Sequence, residues 1–331
     1  MEHPENIVNR LGFALIGIFT LMAGCTTRIE MVKPGPPVPV VYGIFDTMDS
    51  THTIKLGKSF AGEKDALELA EDPENLYYHL PIITLSETRL SRMYSFEEVN
   101  GIPREPGTFP NLPNRFYKLN AKLSPGTHLV RIILPEVPDT LLAEVRIMNP
   151  MKVLIPRPGF KRFYFYDDPT VFSWTASDEI GLYELSITLT VAETLKTGQT
   201  NLRKIRYAKQ LRDSDLEAEK GYYNYRYFSD GFFASIPGDI KPDEAVDYRK
   251  PVDLMIEITA ADTVVSRYLD WFNLEIDDRI NPNGNIPGAI GMIGSKSTVR
   301  FPNLILSPRA QDSLVHGKFT RNLGFVFNSE W

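Results

Sequence analysis

The chain has 331 residues, of which 43% are hydrophobic, 24% charged and 11% aromatic, a globular balance that excludes wholesale disorder and low-complexity architecture. A formal net charge of −6 argues against a phosphate-backbone partner, so no nucleic acid is expected. Cys25 is the sole cysteine, which excludes an internal disulfide and a cysteine-based zinc site. The length predicts two domains, since single cores stop growing near ~250–300 residues.

In chain order, the first element is the apolar run over residues 11–24, followed directly by Cys25. A run this short cannot cross a ~30 Å hydrocarbon core as a helix. It has the length of a secretory h-region and ends in small residues that suit cleavage. Leu21-Met22-Ala23-Gly24-Cys25 resembles the lipobox of bacterial lipoprotein signal peptides. That resemblance implies a diacylglycerol on the Cys25 thiol, cleavage between Gly24 and Cys25, and usually a further acyl chain on the new N-terminus. The n-region departs from the pattern in setting Arg10 against Glu2 and Glu5. Several acyl chains at ~0.8 kcal/mol per buried methylene anchor stably where one chain does not. Beyond Cys25, four prolines between Pro34 and Pro39 favour an extended, semi-rigid spacer.

Strand signals dominate the rest. Val40–Phe45 and Thr51–Leu56, joined by a polar turn, predict a hairpin. Gly62–Ala70 is a helix former, stopped by Asp72-Pro73. Further strands are expected at Ile82–Leu90, Phe116–Leu119, His128–Leu134 and Ala143–Met148, with a proline-rich loop from Gly101 to Asn114. A second unit begins near residue 155. Its Phe172-Ser173-Trp174 and the alternating Tyr183–Val191 resemble the paired strands of fibronectin-type or immunoglobulin-like sandwiches. Val252–Thr259 and Thr263–Leu269 read as strands. The fold class is mostly β, with two β-sandwich-like domains and a few short helices. The divisions are residues 1–24 signal peptide, 25–38 tether, 39–154 N-terminal β domain and 155–331 C-terminal β-sandwich-like domain.

Four segments together resemble a family of Bacteroidota cell-envelope lipoproteins. They are Pro39-Val40-Val41-Tyr42-Gly43, Lys58-Ser59-Phe60-Ala61-Gly62, the strand pair Phe172-Ser173-Trp174 and Tyr183-Glu184-Leu185, and Gly288-Ala289-Ile290-Gly291-Met292-Ile293-Gly294-Ser295. The resemblance implies an all-β lipoprotein, often encoded beside a TonB-dependent outer-membrane receptor, with no catalytic residues to carry over.

Motifs for chemistry are sparse. Gly57-Lys58-Ser59 lacks the upstream glycine of a phosphate-binding loop, His52 standing in its place. The glycines 284, 288, 291 and 294 miss the dinucleotide spacing and read as backbone in close approach. Asp277–Asn285 is rich in oxygen ligands but puts Arg279 and Ile290 at the acidic positions of a calcium loop, so a solvated turn is the default. His52, His79, His128 and His316 form no zinc motif, and no Gly-x-Ser-x-Gly elbow is present. The pairs Glu97-Glu98, Asp167-Asp168 and Asp277-Asp278 read as loop solvation, and the basic run Lys196–Arg212 as a solvated loop or hairpin. No metal, cofactor or catalytic group is expected.

Two aromatic clusters remain: Phe160, Phe163, Tyr164, Phe165 and Tyr166, and a second around Tyr222–Phe233. Period two puts Tyr223, Tyr225 and Tyr227 on one strand face. Exposed, that face is a stacking platform for a glycan or partner chain; buried, it is core. The resulting expectation is a non-enzymatic, outer-membrane lipoprotein, anchored to the membrane through Cys25. It captures or presents a nutrient ligand beside a TonB-dependent receptor. Thr26-Thr27-Arg28-Ile29-Glu30 lacks the acidic cluster that resembles a surface-export signal, which favours the periplasmic face. The alternatives are a structural or adhesive envelope protein and a hydrolase whose site the sequence does not mark.

Overall fold

A computed structural model describes residues 36–60, 64–101, 114–164, 169–175, 177, 179–272 and 284–331. Gly24, Cys25 and the tether to residue 35 lie outside the described residues, as do Phe165, Tyr166, Asp167-Asp168 and Asp277-Asp278. Strand β1 (Pro39–Asp46) turns into β2 (Thr51–Lys58), antiparallel with Val41 opposite Leu56, the hairpin that the alternation predicts. Two single turns follow, α1 (Ala66–Leu69) capped by Asp65 and α2 (Pro73–Leu76) capped by Asp72. Pro73 therefore starts a turn as well as ending one, since a first helical residue has no use for its N–H. Next come β3 (Ile82–Glu87), β4 (Arg92–Ser95), β5 (Glu97–Val99), β6 (Phe116–Asn120), β7 (Gly126–Ile133) and β8 (Leu141–Ile147).

The chain continues through β9 (Val153–Ile155), β10 (Arg162–Phe163), β11 (Thr170–Thr175), β12 (Ile180–Leu195), β13 (Thr200–Leu211), β14 (Glu217–Glu219) and β15 (Tyr222–Tyr227). It ends with α3 (Asp230–Asp239), β16 (Val246–Asp262), α4 (Thr263–Phe272), β17 (Ile290–Leu306) and α5 (Pro308–His316). The molecule is mostly β, and its basic run Lys196–Arg212 is largely the outer strand, β13, of the long β12–β13 hairpin.

One sheet runs β13-β12-β16-β17-β1-β2-β6-β5, with β10 beside β17. Strand β17 joins its halves: residues 290–296 run parallel to β1, and residues 296–304 run antiparallel to β16. Gly291 belongs to the first stretch, and a Cβ there would come within 2.0 Å of the Val41 carbonyl oxygen, so the glycine-rich segment is backbone in close approach. Sheet β4-β3-β7-β8 covers one half and encloses a core including Val41, Ile54, Leu85, Val130 and Ile293. Sheet β14-β15-β11-β9 and helices α3 and α5 cover the other, around Trp174, Leu185, Ile256, Phe232 and Leu314. Ile286, Ala289 and Ile293, late in the chain, thus pack with residues 41–147.

The stretch Thr263–Leu269, expected as a strand, is helical and forms most of α4. Its β-branched opening suits a strand, but Asp262 accepts a hydrogen bond from the Val265 amide at 2.9 Å and caps a helix instead. Val265, Tyr268 and Leu269 then recur at helical spacing and pack with Leu182, Ala261 and Met292 on the opposite face of the long sheet.

His52 is buried in the first core, its ring 5.4 Å edge-on from Phe45 and its Nε2 3.0 Å from the Ala121 carbonyl oxygen. Burial lowers its pKa below the ordinary 6.5, against the opposing pull of the Ala121 carbonyl, Asp49 and Asp46. The unfolded chain then binds the proton more readily, so this group's stabilisation is lost as the pH falls below the unfolded value. The unfolding midpoint is expected to drop between about pH 7.5 and about pH 5.5, and His52→Leu to flatten part of that drop. Equal pH slopes in the two proteins, followed by thermal melts, contradict the assignment.

Candidate functional site

The first aromatic cluster builds a cleft where β9, β10 and β11 meet. Strand β10 is held against β17 in parallel register, with Phe163 opposite Leu306, and the Ser307 amide donates to the Phe163 carbonyl at 3.0 Å. Between β9 and β10 the chain makes a turn in which the Phe160 amide donates to the Arg157 carbonyl at 3.1 Å, with Gly159 at φ 83°. That positive φ suits glycine, which has no Cβ to clash. The turn sets Phe160 edge-on to Phe163, centroids 6.4 Å apart, and Phe163 stacks on Phe172 of β11 at 6.0 Å. Phe163 and Phe172 are buried and form the floor.

The cleft encloses about 470 Å³, within the range of small-molecule sites. Ile155, Pro156, Pro169 and Val171 add apolar wall, and Thr170 is engaged through its hydroxyl, which donates to the Tyr164 carbonyl at 3.2 Å. Arg157, exposed, is the one formal charge among the described lining residues. Aromatic faces and aliphatic edges favour a flat or branched apolar ligand, and the guanidinium favours an anionic group at the mouth. A second hollow of about 530 Å³ lies beyond Phe160, against Val299–Asn303.

The tyrosine platform is not formed. Tyr225 and Tyr227 are buried in the second core, and Tyr223 packs against it with its ring 5.9 Å from Tyr183. The period-two reading places the three on one face correctly, but that face is turned inward, opposite Trp174, Phe172 and Thr170 of β11. Burying three rings removes far more apolar surface from water than burying Asn224 and Arg226 on the other face. Desolvation accordingly pushes the Tyr227 phenol well above its ordinary pKa.

Other sequence candidates disperse. Lys58 ends β2 and pairs with Glu136 at 3.3 Å. Glu98 faces Arg115 and accepts from the Tyr117 hydroxyl. His79 and His316 are exposed, each paired with a carboxylate of its own neighbourhood, Glu74 and Asp312. His128 is buried in the first core, directly across the strands from the equally buried Glu87. Among the described residues no group of three or more His, Cys, Asp or Glu side chains is placed to hold a metal ion. A hollow of about 350 Å³ touches Glu144, Glu179 and Asp262, but Glu179 pairs with Arg146 and Asp262 accepts from the Val265 and Ser295 amides.

Of the two aromatic clusters, the one at Phe160, Phe163 and Tyr164 lines a cleft, whereas Tyr225 and Tyr227 of the other are core. The signal available in the sequence was the Ile155-Pro156-Arg157-Pro158-Gly159 turn beside the first cluster, whose prolines and glycine fix a bend that carries Phe160 back over Phe163. The fold is mostly β, and an aromatic-lined cleft opens on its second core. No family model matches the chain, and no curated protein matches it.

Proposed function

We infer that this chain is a lipid-anchored cell-envelope binding protein that takes an apolar ligand with an anionic end into the cleft below Arg157. The aromatic cleft carries the reading: a concave, ring-lined site with one cation at its mouth is suited to ligand capture, whereas a protein that only braces its neighbours needs no such hollow. The lipobox-like Leu21–Cys25 supplies the address, an acylated Cys25 in the outer membrane with the body on the periplasmic side. The resemblance to Bacteroidota envelope lipoproteins supports a place beside a TonB-dependent receptor, as an accessory that presents the ligand. An apolar ligand suits these walls better than a glycan, since among the described lining residues only Arg157, Tyr164 and Thr170 bring polar side chains.

The test uses 1-anilinonaphthalene-8-sulfonate, an apolar ring system with one sulfonate, titrated into the chain from residue 26 onward. Emission is expected to rise and saturate. Ile155→Asp sets a carboxylate on the exposed lip, where the fold does not depend on it, and is expected to weaken binding about tenfold by repulsion and desolvation. Arg157→Gln weakens the sulfonate but spares the neutral N-phenyl-1-naphthylamine. Unchanged affinity in Ile155→Asp removes the cleft from the account.

A further inference from the structure

The end of the first half at which the chain arrives from the tether carries an exposed apolar tip. Pro37 is held there by the Tyr78 hydroxyl, which donates to its carbonyl at 3.3 Å, and Val38 by Ser59, whose hydroxyl accepts from the Val38 amide at 2.8 Å. Two residues beyond Tyr78 stands Leu80, 85% exposed and at φ 42°. A leucine in the left-handed region is strained, and its side chain recovers almost nothing by burial. Glycine or asparagine would suit that backbone better. The fold therefore keeps at Leu80 a side chain that it does not use itself.

Leu80 does not stand alone. Ile82, 55% exposed, opens β3 opposite Ile133 of β7, and Leu142 of β8 is exposed on the same outer sheet face. Val38 is exposed beside the tether's last residues. Met93, Leu202 and Phe228, also exposed, lie away from this end. Of the charges near the tip, Lys58 pairs with Glu136, Lys64 with Glu68 and His79 with Glu74, while Arg131 stands exposed on the same outer face, opposite Leu142. The His79 amide also donates to Glu136 at 2.8 Å, which pins the segment that leads into Leu80.

The occupant follows from where the chain goes. Eleven residue steps separate Cys25 from residue 36, and fully extended they reach at most about 40 Å. This end of the body is thus the one tethered closest to the acyl chains. We propose that Leu80, backed by Ile82, Ile133 and Leu142, enters the interfacial layer of the bilayer that holds the lipidated Cys25 and so sets the orientation of the body on the membrane. The inference rests on the lipid-anchored reading. Contact is by apolar insertion, with the long Arg131 side chain able to reach the headgroups, so it is expected on a neutral phosphatidylcholine surface.

The experiment takes the full chain with Leu80→Cys, exported and acylated in a bacterial host, reconstituted into phosphatidylcholine vesicles and labelled with a nitrobenzofurazan thiol dye. Intact mass reports acylation of Cys25, which leaves residue 80 as the one free thiol. Leu202→Cys, far from the tip, is labelled in parallel. The dye at position 80 is expected to brighten, shift to the blue and be quenched by lipids carrying a quencher within the bilayer, while the dye at 202 keeps its emission in water. Acylated protein in which both dyes read water overturns the inference and leaves the anchor standing. A blue shift that grows with protein concentration and ignores the lipid quencher marks an interface between copies and also overturns it. A mass without acyl groups overturns anchor and inference together.

Discussion

Arg249→Leu is expected to lower the midpoint of thermal unfolding by roughly 5 °C, the consequence of about 3 kcal/mol lost in a chain of this size. Arg249 is 2% exposed, deep in strand β16. Its Nε donates to Glu193 at 2.7 Å, and its two remaining nitrogens donate to the carbonyls of Leu323 and Lys241, so one guanidinium holds the turn after α3, strand β12 and the C-terminal tail together. The backbone repeats the tie, the Arg249 amide donating to Gly324 at 2.8 Å and the Val326 amide to Arg249 at 2.9 Å. Leucine matches the apolar stem but leaves the Glu193 carboxylate buried and two carbonyls without donors. Arg203, 3.4 Å from the same carboxylate, retains part of the pairing, which holds the loss at the lower end of the usual range. Differential scanning calorimetry measures it, and faster proteolysis after residue 320 is expected alongside. A midpoint within a degree or two of the parent removes Arg249 as the clasp.

The second large effect concerns the anchor. Cys25→Ala is expected to abolish incorporation of radiolabelled palmitate and to move the protein from the membrane fraction to the soluble one. Each buried methylene contributes ~0.8 kcal/mol, so several acyl chains make release negligible, while the polypeptide itself offers little to replace them. Among the described residues no helix is long and apolar enough to cross a membrane. An exposed tip such as Leu80 orients the body but does not hold it. Equal labelling of parent and variant contradicts the anchor.

The two effects separate what the chain does locally from what it does globally. The proposed acylation rests on a short pattern before one cysteine, which a local reading of the sequence finds. The Arg249 clasp joins residues 193, 241, 249 and 323, and no local pattern marks it: an arginine amid the alternating residues of a strand reads as solvent-facing. Only the arrival of the tail over β16 turns that position inward.

The same division runs through the rest of the molecule. β-Branched and aromatic composition in Val40–Phe45 and alternation in Thr51–Leu56 and Tyr183–Val191 were enough to place strands, because both mark a chain packed on a pleated, partly buried surface. Thr263–Leu269 was not, because a short β-branched stretch is ambiguous, and a buried cap at Asp262, together with the sheet face beneath Leu182 and Met292, decided for helix. Likewise the period of Tyr223, Tyr225 and Tyr227 determined that the three share a face, while the pairing of β15 with β11 decided that the face is core. Periodicity is a property of neighbours along the chain, so the sequence by itself determined strands, turns and the glycine-rich close approach. Which face is inside, which rings line a cleft at Phe160 and Phe172, and which leucine is left in water beside the tether depend on segments far apart in sequence. Their burial is settled by the whole fold minimising exposed apolar surface at once, and that is why the tertiary structure alone decided them.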